Sequence, residues 1–184
     1  MKNLNSIQSR DLEEASVADK KYTPPRLARR LTEWLFSEGW INSQMTFMDP
    51  CAGKNAFYNA LTEIGDTRRA EIDDGMDFFS EYGMVDWIIS NPPFSQMNKW
   101  LEHTMLLARQ GFAYVMPTYS LTVERLDMIN SFGFVCNEVV LFQNPKEWNL
   151  GFQMGFYVFT MLDGEPNAVR NLDPLGGVQT RLSV

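Results

Sequence analysis

The sequence predicts a single α/β domain whose sheet is mostly parallel and ends in an antiparallel hairpin. Its 184 residues suit one domain. With 45% hydrophobic and 21% charged residues, the chain has the composition of a globular protein with a sizeable core. Strand, turn and helix patterns follow one another repeatedly, which is typical of a parallel sheet. Two strand-like runs near the C-terminal end predict the hairpin.

The first strand, turn and helix repeat is preceded by an amphipathic helix. Apolar residues recur at helical spacing over residues 27–35, and Gly39 supplies a stop. A short apolar run over residues 45–48 predicts the first strand. Residues 57–64 then predict a helix, which ends at Gly65.

Two further repeats follow. Residues 85–89 predict a second buried strand, and after a turn the apolar residues over 100–108 predict a helix. Residues 112–116, bounded by Gly111 and Pro117, predict a third strand with another helix behind it.

The C-terminal part has a different pattern. Residues 134–142 and 154–162 both look like strands, and the polar, turn-rich connector between them predicts an antiparallel hairpin. The expected organisation is a flexible arm over residues 1–20, a folded domain over 21–162 and a surface tail over 163–184.

The charge balance is acidic, with 23 Asp and Glu against 16 Lys and Arg and a formal charge of -7. This charge repels phosphate at long range and excludes a simple charge-driven nucleic-acid clamp. A polyanion would have to bind at a local patch such as Arg26, Arg29 and Arg30, or Lys99 and Lys146. The arginines lie mostly off the apolar face of their helix, which favours a solvated face over phosphate contacts.

Several functional classes are disfavoured. Cys51 and Cys136 form no CxxC motif, which indicates a reducing compartment. His103 is the single histidine, so neither a Ser/His/Asp triad nor a multi-histidine metal site is expected, and we predict no metal. No stretch approaches the roughly 20 apolar residues that span a bilayer. A cytoplasmic protein without membrane contact is expected.

Two strand ends carry unusual short segments, and ligands of open α/β sheets bind beyond such ends. In the first, Gly53 allows close backbone approach to a ligand, and Asn55 tolerates a left-handed conformation. The carboxylate of Asp49 could receive an ammonium group or a hydroxyl. A purely structural turn explains this segment equally well.

The second segment, Asn91 to Phe94, is more specific. Consecutive prolines, Pro92 and Pro93, stiffen the turn and remove two amide donors. The Asn91 side chain and the Pro92 carbonyl can then both accept hydrogen bonds from one group, while the Phe94 ring provides an apolar wall. This frame suits a planar amine, because such an amine offers two N–H donors and a π face.

At this point the sequence resembles the methyltransferases that act on adenine N6 or cytosine N4. Asn91-Pro92-Pro93-Phe94 resembles their catalytic motif, Asp49 to Phe57 is similar to their cofactor loop, and Tyr22 to Pro25 resembles the segment before it. This order is that of the gamma class. The resemblance covers about residues 22–162, and the compact form is similar to single-domain adenine methylases of bacteriophages.

The resemblance implies a Rossmann-like class I methyltransferase sheet and S-adenosylmethionine as the cofactor. Asp49 and Gly53 would meet the methionine part of the cofactor, with Cys51 and Ala52 in the same loop. Thr23 would lie near the methionine carboxylate.

The ribose and adenine of the cofactor would be held after the next strand. Glu71 resembles the acidic residue that accepts hydrogen bonds from both ribose hydroxyls. Asp73 or Asp74 could take this role instead. Asp77 would accept from the adenine amino group, and Phe78 would pack on the ring.

The implied activity is methyl transfer to the N6 amine of adenine in DNA. Asn91 and Pro92 would accept hydrogen bonds from the amine, and Phe94 would stack on a flipped base. Trp148 is a second stacking candidate, although packing is the favoured explanation for it.

The chain departs from the family pattern in its cofactor loop and in the segment after Glu71, and it shows no target recognition module. Asn55 stands where the second loop glycine is usual. Five residues separate Glu71 from Asp77, which implies the loss of a helix and of a strand. No target recognition module is visible, so a protein partner is expected to supply it.

Three alternatives stay open. RNA adenine methylation needs no groove-reading module. Protein glutamine methylation uses a similar turn, usually with tyrosine in the position of Phe94. A non-catalytic binding protein could keep the fold without turnover.

Overall fold

The computed structural model describes residues 21–162 and the backbone of residues 169–172 and 178–182. Four α-helices lie in these ranges: α1 (Pro25–Ser37), α2 (Ala56–Thr62), α3 (Met97–Leu107) and α4 (Val123–Ser131). The strands are β1 (Phe47–Asp49), β2 (Thr67–Arg69), β3 (Val85–Ser90), β4 (Ala108–Pro117), β5 (Phe134–Phe142), β6 (Met154–Met161), β7 (Val169–Leu172) and β8 (Val178–Leu182). The predicted arm, and the predicted tail apart from β7 and β8, lie outside the described residues.

All eight strands form one sheet in the order β2-β1-β3-β4-β6-β5-β7-β8. The first four strands in this order, from β2 to β4, pair in parallel. Strand β6 lies antiparallel between β4 and β5. Strand β7 runs parallel to β5 and antiparallel to β8. The predicted α/β sheet with an antiparallel hairpin is therefore confirmed.

The sheet separates two hydrophobic cores. Successive side chains of a strand point to opposite faces, so Trp87 and Ile89 enter one core while Ile88 enters the other. Helices α1 and α2 cover the first face, and α3 and α4 cover the second. None of the helices in the described ranges is long and apolar enough to cross a membrane.

The start of β4 differs from the prediction. Ala108 begins this strand rather than belonging to the preceding helix, and Gly111 lies within the strand instead of before it. A Cβ at Gly111 would lie 2.7 Å from both the Phe159 carbonyl oxygen and the Trp87 ring. The glycine is therefore a packing requirement inside the strand and not a turn signal.

The region between β2 and β3 is short. Strand β2 was not predicted, because its three residues include two arginines and form no apolar run. From residue 70 to residue 84 the chain forms no α-helix and no strand, only the 3-10 turns Ile72–Asp74 and Phe78–Ser80. This agrees with the contraction that the spacing of Glu71 and Asp77 implies.

Candidate active site

Two adjoining cavities open at the carboxyl ends of β1 and β3, the edge where open α/β sheets bind ligands. The larger cavity measures about 500 Å³ and the smaller about 290 Å³. Both are lined by Cys51, Glu71, Ile72, Pro93 and Gln96. Of the other predicted site residues, the larger is lined by Thr23, Asp49, Ala52, Gly53 and Asn91, and the smaller by Asp77 and Phe78. The structure thus brings most predicted site residues together.

Asp49 ends β1 and is 1% exposed. Its Oδ1 accepts a hydrogen bond from Ser90 Oγ at 2.6 Å, and its Oδ2 accepts one from the Tyr58 amide at 3.0 Å. Tyr58 lies in the first turn of α2, where amides have no acceptor within the helix. Asp49 therefore caps α2 and ties β1 to β3. Contact of Asp49 with the cofactor stays a prediction.

The pKa of the Asp49 carboxyl group is raised strongly. Burial raises the pKa of Asp49 to about 7, and the negative charge of Glu71 adds to the rise. The hydrogen bonds from Ser90 and from the backbone act in the opposite direction, because they stabilise the carboxylate. The carboxyl group therefore titrates close to neutral pH.

Glu71 joins the loop after β1 to the turn after β2. One carboxylate oxygen accepts from the Gly53 amide at 2.5 Å, and the other accepts from the Asp73 amide at 3.3 Å. Each carboxylate oxygen has two lone pairs, so both retain capacity for a ligand hydroxyl. Asp73 lines the larger cavity, whereas Asp74 forms an ion pair with Arg69 at 2.8 Å. Of the alternatives to Glu71, Asp73 is the better placed.

Asn55 and Gly53 give the loop its shape. Asn55 has a φ of 62° and Gly53 a φ of 51°, both in the left-handed region that these residue types tolerate. A Cβ at Gly53 would lie 2.8 Å from the ring of Tyr22, so the ring packs directly on the glycine. Lys54 Nζ lies 4.9 Å from the centroid of the same ring. Asparagine can thus replace glycine at position 55 because it accepts the required backbone conformation.

Asn91 stands at the carboxyl end of β3. Its Nδ2 donates to the Lys21 carbonyl at 2.8 Å. Its Oδ1 is buried and has no hydrogen-bond partner within the part of the chain that the structure describes. Asn91 also lines the larger cavity, so the unpartnered acceptor belongs to a residue of the cavity wall.

The rest of the Asn-Pro-Pro-Phe turn is arranged partly as expected. Pro93 lines both cavities and precedes the 3-10 turn Phe94–Gln96. Phe94 is partly buried against both cores, and neither Phe94 nor Pro92 lines either cavity. The 3-10 turn instead carries Ser95 and Gln96 to the wall of the larger cavity. The stacking role of Phe94 stays a prediction.

The smaller cavity has an aromatic wall. Phe78 is 2% exposed and stacks on Trp100 with ring centroids 4.9 Å apart. The carboxylate of Asp77 accepts from the Phe79 amide at 3.0 Å, and Lys99 Nζ lies 3.7 Å from the Phe79 ring centroid. The roles of Asp77 and Phe78 toward adenine stay predictions.

Ile72 was missed by sequence reasoning. It lines both cavities and is 66% exposed, which is unusual for a large apolar side chain. Its position between Glu71 and Asp73, in an otherwise charged stretch, was the available signal.

Trp148 packs inside the protein, which agrees with packing as the favoured explanation for this residue and not with base stacking. It is 2% exposed, its Nε1 donates to the Tyr22 carbonyl at 2.9 Å, and it packs edge-on against Phe142. The side chain is therefore interior and is not available to stack on a substrate base.

Arg29 and His103, which the sequence singled out, have structural contacts. Arg29 forms an exposed ion pair with Glu63 at 2.7 Å. The His103 ring lies 3.2 Å from the Glu81 carbonyl and packs edge-on against Phe78. No group of three or more His, Cys, Asp and Glu side chains that could hold a metal occurs among the described residues.

No protein-family model matches the chain, and no curated protein matches it in sequence. Its fold, in contrast, is similar to that of several solved structures. A protein from Pyrococcus horikoshii that was proposed to be an RNA methyltransferase aligns at 18% identity with a TM-score of 0.64, over 79% of this chain and 89% of that one.

Two other similar structures are methyltransferases of different kinds. A type I restriction-modification methyltransferase subunit from Streptococcus thermophilus aligns at 15% identity with a TM-score of 0.61, over 89% of this chain and 50% of that one. Magnesium protoporphyrin IX methyltransferase from Synechocystis, with bound S-adenosylmethionine, aligns at 10% identity with a TM-score of 0.59, over 74% of this chain and 79% of that one. The protein therefore has the Rossmann-like fold of class I methyltransferases.

Proposed function

We propose that residues 21–162 form a methyltransferase domain that transfers the methyl group of S-adenosylmethionine to the N6 amine of adenine in DNA. The observation that carries the proposal is the buried, unpartnered Oδ1 of Asn91, a residue that lines the larger cavity. A buried acceptor without a partner is costly, and an amine hydrogen of the substrate would satisfy it.

The cavities fit the proposed cofactor. The larger is bounded by the glycine-containing loop after β1, and the smaller by the aromatic wall of Phe78. Glu71 lies between them with spare acceptor capacity for ribose hydroxyls. Thr23 is buried at the wall of the larger cavity, where it would meet the methionine carboxylate. When bound, S-adenosylmethionine supplies an electrophilic methyl group.

The protein's own contribution is orientation and hydrogen bonding. The lone pair of an aromatic amine is delocalised into its ring, so the nitrogen is a poor nucleophile. Asn91 Oδ1 would accept one amine hydrogen and increase the electron density on nitrogen as the transition state forms. The stiff turn after β3 would hold the amine in line with the methyl group. In duplex DNA the adenine would first have to leave the stack, at a cost of about a few kcal/mol.

DNA is the favoured substrate because the motif order resembles the gamma class, and the restriction-modification subunit shares the fold. The chain spans half the length of that subunit. A protein partner that supplies target recognition is part of the proposal. RNA is the second candidate, because the similar structure proposed as an RNA methyltransferase is covered over 89% of its length. We place the reaction in the cytoplasm, and a phage origin would fit the compact form.

The test is methyl transfer from labelled S-adenosylmethionine to unmethylated duplex DNA, with single-stranded DNA and RNA in parallel. Nucleoside analysis should yield N6-methyldeoxyadenosine. N6-methyladenosine from RNA alone would support the second candidate. Absence of transfer together with intact cofactor binding would indicate a protein substrate or a missing partner, and absence of cofactor binding would favour a non-catalytic protein.

A further inference from the structure

The three residues before α1, Lys21, Tyr22 and Thr23, form a wall of the larger cavity, and we call them the strap. The Tyr22 ring packs on Gly53 of the loop after β1. Thr23 is 8% exposed. A ligand in the larger cavity would therefore lie against the strap.

Two consecutive carbonyls of the strap accept hydrogen bonds from distant side chains. The Lys21 carbonyl accepts from Asn91 Nδ2 at 2.8 Å, and the Tyr22 carbonyl accepts from Trp148 Nε1 at 2.9 Å. Trp148 belongs to the connector between β5 and β6, and its buried ring is fixed within the first core. The strap thus connects this connector to the turn after β3.

The contact with Lys21 fixes the orientation of the Asn91 amide. A carbonyl oxygen only accepts, so the amide must turn its NH₂ group toward Lys21. Oδ1 then points away from Lys21 and is the acceptor left unpartnered. If the strap moved away, nothing in this pair would favour one orientation of the amide over the other.

We infer that Trp148 is a positioning residue for Asn91: by anchoring the strap it presents the Lys21 carbonyl, which orients the amide so that Oδ1 can accept a hydrogen bond from the amine. The inference rests on the proposed function for its consequence in catalysis. By the same inference, the hydrogen bond from Trp148 holds the strap, which is a wall of the proposed cofactor cavity, and also orients the proposed amine acceptor, Asn91 Oδ1.

The chain offers a matched control. Trp34 lies in the same core, is also buried, and its Nε1 has no hydrogen-bond partner among the described residues. Trp148→Phe and Trp34→Phe remove the same atoms from one core, but only the first removes a hydrogen bond to the strap. A difference between the two variants therefore reports the anchor and not the loss of volume.

The experiment measures amide hydrogen exchange at Tyr22 and Thr23, the side-chain NH₂ resonances of Asn91, cofactor affinity and methyl transfer. In Trp148→Phe we expect about tenfold faster exchange, altered NH₂ resonances and about tenfold lower kcat, with a smaller change in cofactor Kd. Trp34→Phe should change none of these. Equal exchange and equal NH₂ resonances in the two variants would overturn the inference.

A reciprocal variant covers the case in which Trp148→Phe does not fold. Asn91→Asp lacks the donor to Lys21 and should also accelerate exchange of the strap amides, and unchanged exchange would contradict the coupling. The exchange and resonance measurements need no turnover. A wild-type protein that transfers no methyl group would therefore refute the proposed function while leaving the anchor testable.

Discussion

The two polar atoms of the Asn91 side chain have different roles in our proposal: Nδ2 makes a structural hydrogen bond, and Oδ1 would bind the substrate amine. Its Nδ2 donates to the strap, and its Oδ1 has no hydrogen-bond partner among the described residues. Such a division predicts that the residue affects turnover more than cofactor affinity, because the oxygen would contact only the substrate amine.

Replacement of Asn91 by alanine should lower kcat by at least about tenfold and leave the Kd for S-adenosylmethionine nearly unchanged. The measurements are steady-state methyl transfer and calorimetric titration of the cofactor. Asn59→Ala, at an exposed position of α2, is the control and should behave as wild type. Unchanged turnover in Asn91→Ala would refute the proposed role.

The buried carboxyl group of Asp49 predicts a pH-dependent stability. Its pKa is raised from 3.8 in a model compound to about 7, so the folded state binds more protons than the unfolded state between these values. The protonated form of Asp49 therefore contributes its full stabilisation to the folded state below pH 3.8, and this stabilisation is lost as the pH rises to about 7. The loss is on the order of 4 kcal/mol in the free energy of unfolding.

Asp49→Asn imitates the protonated acid, because its amide can donate to Ser90 Oγ and accept from the Tyr58 amide. Relative to wild type, this variant should lose less stability between about pH 4 and pH 7, as measured by urea unfolding at several pH values. Parallel pH profiles in the two proteins would show that Asp49 titrates normally. Asp86 offers a contrast, since its pKa is lowered by hydrogen bonds from Thr46.

At the scale of elements, the loop after β1 and the turn after β2 are held together by the Glu71 carboxylate. The backbone adds two bonds, from the Ala70 amide to the Asp49 carbonyl and from the Ala52 amide to the Ala70 carbonyl. These segments form the wall between the two cavities, so the geometry of both cavities depends on Glu71.

Glu71→Ala should raise the Kd for S-adenosylmethionine by at least about tenfold, because it removes the carboxylate that accepts from two backbone amides and is the expected ribose ligand. Calorimetric titration measures the change. Asp73→Ala is the comparison, because Asp73 also lines the larger cavity. A larger loss of affinity in Asp73→Ala would transfer the ribose role to Asp73.

Viewed as a whole, the molecule was predictable where burial produced a pattern. Strand β3 has apolar residues on both faces and was predicted almost to its ends. Strand β2 is only half-buried and carries two arginines, so no apolar pattern marks it. Gly111 was misinterpreted because a glycine required by the Trp87 ring is indistinguishable in sequence from one in a turn.

The candidate site was predictable only through its motifs. The segments at Asp49 and Asn91 have distinctive sequences, and the structure places them at one edge of the sheet. The strap contacts join backbone carbonyls to Trp148, 126 residues further along the chain, and backbone carbonyls leave no trace in residue identity. Long-range contacts of this kind follow from the fold and not from local pattern.

The shortened connection after β2 leaves that strand at the edge of the sheet, where unpaired backbone groups invite association with a second molecule. The edge is short and charged, and Arg68 donates to the Gly83 carbonyl at 2.5 Å while Arg69 binds Asp74. We expect these charged side chains to disfavour pairing of the edge with a second molecule. Replacing Arg68 and Arg69 together by valine should produce concentration-dependent light scattering at neutral pH, whereas Arg29→Val, on a helix surface, should not. A double variant that scatters no more light than the wild-type protein would show that the short edge needs no charge for protection.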